Sequence, residues 1–248
     1  MITIIGRGHG GTRAMSLTLQ ASGAFMGRVL NESSDMLPPD ELYEACRVLG
    51  KYVVHLGNNE WDFSALHTMP IDPVFEFLVR RYLVHVLASK EPRGWKLPET
   101  TLIYPWIVRL FPDIDYIFWV RDPRDSILGA HLTDDLSRFG VPFAKAMTSD
   151  SGGGATDDVL MNRAISWKYQ RDIVRATPPP KKSISVRFED FVLKQDETLA
   201  RLSDFLNMPL CKIAVRADSV GRWRDSQENF SRFDHLFKQN MVEQGYET

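Results

Sequence analysis

Residues 2–16 read ITIIGRGHGGTRAMS, and this stretch constrains the fold more than any other. The β-branched run at residues 2–5 ends in Gly6 and reads as a buried strand. After the glycines, Met15, Leu17, Leu19 and Ala21 predict a helix over residues 12–22, with Gly23 as its stop signal. Gly6, four residues, Gly11 and Thr12 give most of a nucleotide P-loop, but the lysine between the last glycine and the threonine is missing. A strand, a glycine turn and a helix N-terminus form an anion site without lysine. The turn aims backbone N–H groups inward and the helix dipole favours negative charge. Thr12 adds a hydroxyl, and Arg13 or Arg7 a cation. A ligand-free glycine turn is the competing reading. Gly8, Gly10 and Gly11 lying between a strand and a helix argue against it.

The remaining pattern alternates helices with strands. Residues 114–120 (IDYIFWV) are almost continuously apolar, as suits a parallel strand covered on both faces. Residues 183–191 supply a third strand and a turn. Helices are predicted from Pro39, over 72–89, over 99–110, from Pro123, around Leu160–Val174 and around Leu199–Leu206. Residues 94–100 form a short extended piece broken by proline. From Val215 the chain is rich in Arg, Trp and Phe and weakly periodic. Such alternation predicts an α/β fold, a central and mainly parallel sheet with helices on both faces, over a single domain spanning 1–248. At 248 residues with 44% hydrophobic content, a large core is within reach. A net charge of −2 points away from nucleic acid as a partner, though a local basic pocket fits within a neutral total. Cys46 and Cys211 stand outside any CxxC or Cys/His cluster and read as free thiols of a reducing compartment. No apolar run approaches the about 20 residues of a membrane span, and no leader pattern opens the chain, so a cytoplasmic location is expected.

The absent lysine narrows the ligand. In ATP and GTP enzymes it bridges the β- and γ-phosphates while the Ser/Thr holds Mg²⁺. A donor with one phosphate at its reacting end needs neither. IIGRGHGGTRA resembles the 5′-phosphosulfate loop of the sulfotransferases, and GGTRA resembles the heparan-type members. That resemblance implies a P-loop-like three-layer fold and 3′-phosphoadenosine 5′-phosphosulfate (PAPS) as donor, with adenosine 3′,5′-bisphosphate as product and no metal. It implies donor contacts from Arg7, Gly8, His9, Gly10, Gly11, Thr12 and Arg13. IFWVRDPRDSI resembles the family's segment for the 3′-phosphate, with Arg121 at its arginine. The family's serine falls eight residues later, at Gly129 here, and Ser126 lies one turn earlier. VRADSVGRWRDS resembles the late loop that closes over the 3′-phosphate, placing Arg216, Gly221, Arg222 and Trp223 there. Ala217 and Asp218 replace its second basic residue and first glycine. SVRFEDFVLKQDETLARLSDFLNM resembles the scaffold segment before that loop.

Sulfuryl transfer needs a base for the acceptor, positive groups for the charge that develops, and in-line placement. Lys96 in GWKLPE is the candidate cation, matching the Lys-x-Pro setting of heparan-type members. His9 stands where the family has Lys or Arg. As imidazolium it replaces that cation, and activity should then fall as pH rises; as a neutral ring it donates one hydrogen bond. Glu32 in LNESSD is the candidate base, displaced by one residue from the family's glutamate position, with His55, His67 and His131 as rivals. Asp35 lies close enough in sequence to raise the pKa of Glu32 if both face one pocket. Trp61, Phe63, Trp95, Tyr104 and Trp106 read chiefly as core, with one or two open as pocket walls. Residues 152–154 (Gly-Gly-Gly) are a candidate lid. The expected acceptor is a small molecule, lipid or saccharide, with the oligomeric state open. Two alternatives stand: a small P-loop kinase using ATP-Mg with Asp122 as metal carboxylate, and an inactive nucleotide-binding relative.

Overall fold

The computed structural model describes residues 1–143 and 155–247. Among the described residues six strands appear in chain order: β1 (Ile2–Ile5), β2 (Val54–Gly57), β3 (Glu60–Asp62), β4 (Gly94–Trp95), β5 (Asp115–Val120) and β6 (Ser183–Arg187). Four of them form the central sheet in the order β4-β1-β5-β6, and every pairing in it is parallel. Helices cover both faces, as expected. Along β1, Ile2 and Ile4 enter one apolar cluster with Met15, Leu19, Ile117 and Trp119, while Ile5 enters a second with Trp95, Trp106 and Tyr116. Period-two alternation thus feeds two cores from one strand.

The strand order positions the site. From β1 the chain crosses to β4 on one side, and from β5 it crosses to β6 on the other. Between β1 and β5 the connections diverge, which opens a crevice at the strands' carboxyl ends. Ile5 pairs with Phe118, so Gly6 and Arg121 leave the sheet at the same edge.

Several expectations need correction. The helix expected over 72–89 is two pieces, Pro73–Tyr82 and Val84–Leu87, parted at Leu83. Residues 99–110 begin as a 3₁₀ turn, Pro98–Ile103, and become α-helical only over Tyr104–Leu110. The third strand stops at Arg187, and Phe188–Leu193 is helical instead of a turn. The β2–β3 hairpin was not anticipated; its turn residues Asn58 and Asn59 have φ of 50° and 57°. Asparagine tolerates that left-handed conformation, which matches the strand twist. The helix from Pro123 is short, Pro123–Ile127, and the Asp122 side chain caps it by accepting from the Arg124 N–H at 2.9 Å. Trp61, Phe63, Trp95, Tyr104 and Trp106 are all core residues.

Gly94 opens β4 so close to β1 that any Cβ would run into the Ile2 carbonyl oxygen, which is backbone and has no freedom to yield. Gly94→Ala should therefore destabilise the protein by about 1–3 kcal/mol in chemical denaturation; an unchanged midpoint would contradict this packing.

Candidate active site

The turn after β1 has its carbonyls engaged by the protein. Gly10 N–H donates to the Arg7 carbonyl at 3.0 Å and Ala14 N–H to that of Gly11 at 3.0 Å. The Arg7 guanidinium holds the Gly8 carbonyl (3.0 Å), Arg121 that of His9 (3.0 Å) and the Trp119 indole that of Gly10 (2.8 Å). With the carbonyls of residues 7–11 and the Gly10 and Ala14 amides engaged within the protein, the N–H groups of Gly8, His9, Gly11 and Thr12 are the donors the turn has to offer an anion. Glycine is required for space as well: a Cβ at Gly8 would strike the His131 ring, and one at Gly11, where φ is 85°, the Phe188 ring.

These donors face a cleft of about 380 Å³ lined by Gly8, His9, Gly11, Thr12, Arg13, Ser33, Asp35, Lys96, Pro98, Arg121, His131, Arg216, Ser219 and Arg222. Residues distant in sequence thus meet: the glycine turn, the end of β5, the late arginine loop and the lysine after β4. Five cationic side chains against one carboxylate give the cleft a positive field. Next to it lies a second cavity of about 550 Å³ with Leu17, Phe188, Val192, Ile213 and Val215 in its wall; Gly11, Arg13, Arg216 and Ser219 border both.

Other expected residues stand elsewhere. Arg7 is turned inward, pairing with Asp134 and donating to the Ser126 carbonyl at 2.8 Å. It braces the turn from behind. Ser126 is buried on that same internal side and borders the cleft nowhere. Gly221 and Trp223 lie beyond the cleft, beside Arg124, whose guanidinium stacks 3.8 Å from the indole centroid. Gly10 lies within the turn and does not line the cleft. Glu32 is solvent-exposed and outside the lining. Asp35 instead pairs with Lys96 at 2.6 Å, and the Lys96 ammonium also donates to the Ser33 carbonyl at 2.8 Å. Asn31 fixes this arc by donating to Asp35 at 3.1 Å and accepting from the Ser33 and Asp35 amides. Burial pulls the Lys96 pKa down while Asp35 opposes the fall. His55 and His67 are not among the lining residues, and the Gly-Gly-Gly stretch at 152–154 lies outside the described residues.

Two histidines face the cleft, and neither is held as a cation. Burial, followed by the Arg7 charge, lowers the His9 pKa below 6.5. The imidazolium reading is thus the one its surroundings oppose. A neutral imidazole keeps one ring nitrogen as a proton acceptor. His131 is pushed down to about 3, chiefly by burial. Its Nδ1 accepts from the Thr133 N–H at 3.2 Å, so Nε2 carries the proton and the ring is a donor. A Cβ at Gly129 would lie 2.6 Å from the His9 Nδ1, so the imidazole fills the space a side chain there would need. Among the described residues no group of three or more His, Cys, Asp or Glu side chains is placed to hold a metal, and no helix is long and apolar enough to cross a membrane.

Comparison with known proteins gives the family and the fold. A family model described as "Sulfotransferase family" matches residues 2–212. A curated Caenorhabditis elegans protein named "Putative protein-tyrosine sulfotransferase" is 24% identical over 153 residues, covering 60% of this chain and 54% of the relative. A Caenorhabditis briggsae protein of the same name is 24% identical over 141 residues, covering 54% and 45%. The chain thus spans about half the length of these curated relatives. Among solved structures, the sulfotransferase domain from the curacin biosynthetic pathway superposes with a TM-score of 0.51 at 16% identity, covering 100% of this chain and 98% of that one. The sulfotransferase domain of the Synechococcus olefin synthase gives 0.51 at 14% identity, covering 100% and 95%. At these identities the superpositions establish the fold.

One charged group escaped the sequence reading. Glu99, in the turn after Lys96, is 1% exposed, and neither carboxyl oxygen has a hydrogen-bond partner among the described residues. Burial raises its pKa to about 7. A carboxyl whose folded pKa is raised favours the fold below its ordinary pKa and loses that contribution as pH climbs through about 7. Glu99→Gln cannot ionise, so it should abolish the part of the wild-type loss of thermal stability between pH 5 and 8 that Glu99 causes. That part is of order 3 kcal/mol. Parallel stability profiles of the two proteins would contradict the assignment.

Proposed function

This chain belongs to the sulfotransferase family, and we propose that it moves the sulfuryl group of PAPS to a hydroxyl or amine of a small-molecule, lipid or saccharide acceptor. One observation carries the reading: Gly8, His9, Gly11 and Thr12 of the glycine turn share a single cationic cleft with Arg121 and Arg216, beside an apolar cavity. On this reading the amides of the turn and Thr12 take the 5′-phosphate, and Arg121 with Arg216 and Arg222 takes the 3′-phosphate. The adenine lies against Leu17 and Phe188. Lys96, charged and aimed by Asp35, stabilises the negative charge that grows on the sulfuryl and bridging oxygens during transfer.

The acceptor must lose its proton as its oxygen or nitrogen bonds to sulfur and the bond from sulfur to the 5′-phosphate oxygen breaks. Of the groups lining the cleft, His9 is best suited to take that proton. Asp35 is committed to Lys96, whereas the His9 ring is neutral at pH 7 and keeps an acceptor nitrogen. His131, whose Nδ1 accepts from the Thr133 N–H, keeps an Nε2 proton to offer a sulfuryl oxygen and remains neutral throughout.

Thermal stabilisation tests the donor. Adenosine 3′,5′-bisphosphate should raise the melting temperature without metal, and ATP with Mg²⁺ should not; the reverse pattern would overturn the reading in favour of a kinase. Initial rates test the roles. Lys96→Ala should lower kcat about 10²- to 10³-fold. Wild-type activity should fall as pH drops through a value below 6.5, where His9 becomes protonated. His9→Lys should be inactive at neutral pH; a His9→Lys enzyme active at high pH would restore the role of a cation at this position.

A further inference from the structure

The late loop that carries Arg216 and Arg222 has little core of its own. Its 3₁₀ turns, Ala217–Ser219 and Arg222–Asp225, contain no buried residue. The Arg216–Asp218 pair spans 3.7 Å between exposed groups and contributes little. What fastens this loop is a carboxylate from another element. Asp125, in the short helix Pro123–Ile127, is 0% exposed. One of its oxygens accepts from the Trp223 N–H at 2.9 Å. The other accepts from the Gly221 N–H at 2.8 Å and lies 3.5 Å from the Arg121 guanidinium. Gly221 has φ of 74°, a conformation glycine adopts without strain, and it supplies one of the two bonded amides. Arg121 completes the arrangement by donating to the Ser219 carbonyl.

Resting on the donor reading above, we propose that Asp125 is the positioning residue of the second-phosphate clamp. It holds the late loop against Arg121 before any nucleotide arrives, and so gives the protein its preference for a 3′-phosphorylated nucleotide. Asp125 does not line the cleft, so it acts through the loop and Arg121. A charged, buried acceptor of two amides holds far more firmly than a neutral one. Ordering the loop in advance removes a cost that binding would otherwise carry.

Calorimetric titration of wild type and Asp125→Asn with adenosine 3′,5′-bisphosphate and with adenosine 5′-phosphate separates the possibilities. Wild type should prefer the bisphosphate. In Asp125→Asn the bisphosphate affinity should fall about 10- to 100-fold, with the 5′-monophosphate affinity held within about twofold. An unchanged bisphosphate affinity, or an equal loss for both nucleotides, would overturn the proposal. Wild type without a preference would overturn the donor reading, and this proposal with it. Amide hydrogen exchange on ligand-free wild type gives a check independent of how the variant folds. The Gly221 and Trp223 amides should exchange slowly there, and unprotected amides would also overturn the proposal.

Discussion

The grip of β5 on the turn after β1 is the constraint from which the rest of the site follows. Parallel pairing in the register Ile5 to Phe118 sets the two strand ends side by side. The Trp119 indole and the Arg121 guanidinium then take the carbonyls of Gly10 and His9. With its acceptors drawn to the protein, the turn can offer only donors to the cleft, and an anion is the complementary ligand. Arg121 is fixed by the same contacts, so the cation at the end of β5 and the amides after β1 are set by one piece of backbone geometry.

The cationic cleft is built from unequal parts. Arg7 is neutralised by Asp134 and serves the turn's shape. Lys96 is paired but lines the cleft, which keeps its ammonium charged and pointed in a desolvated setting. Arg13, Arg216 and Arg222 supply further positive charge around the same space. The His9 ring occupies the space that a side chain at position 129 would need.

Much of the architecture was legible because strong local signals agree with the tertiary structure. The strand and glycine turn at residues 2–11, the apolar run ending at Val120 and the proline-started helix at Pro123 all appear where local chemistry put them. The cleft gathers nine of the expected residues, namely Gly8, His9, Gly11, Thr12, Arg13, Lys96, Arg121, Arg216 and Arg222. What escaped depends on contacts between distant segments. No local pattern reveals that Arg7 faces Asp134, that Asp35 faces Lys96, or that Asp125 receives the amides of Gly221 and Trp223. Glu99 entered the sequence reading only as the start of the helix expected over 99–110, and only three-dimensional packing leaves its carboxyl without a partner among the described residues. The hairpin was missed although Asn58-Asn59 is a turn signal, because its flanking strands are short and half exposed.

A crystal structure of the protein with adenosine 3′,5′-bisphosphate tests the central claim most directly. The account predicts the 5′-phosphate on the amides of Gly8, His9, Gly11 and Thr12 and the 3′-phosphate on Arg121, with the adenine against Leu17 and Phe188. A nucleotide bound elsewhere, or bound in the cleft with its 3′-phosphate pointing away from Arg121, would contradict it.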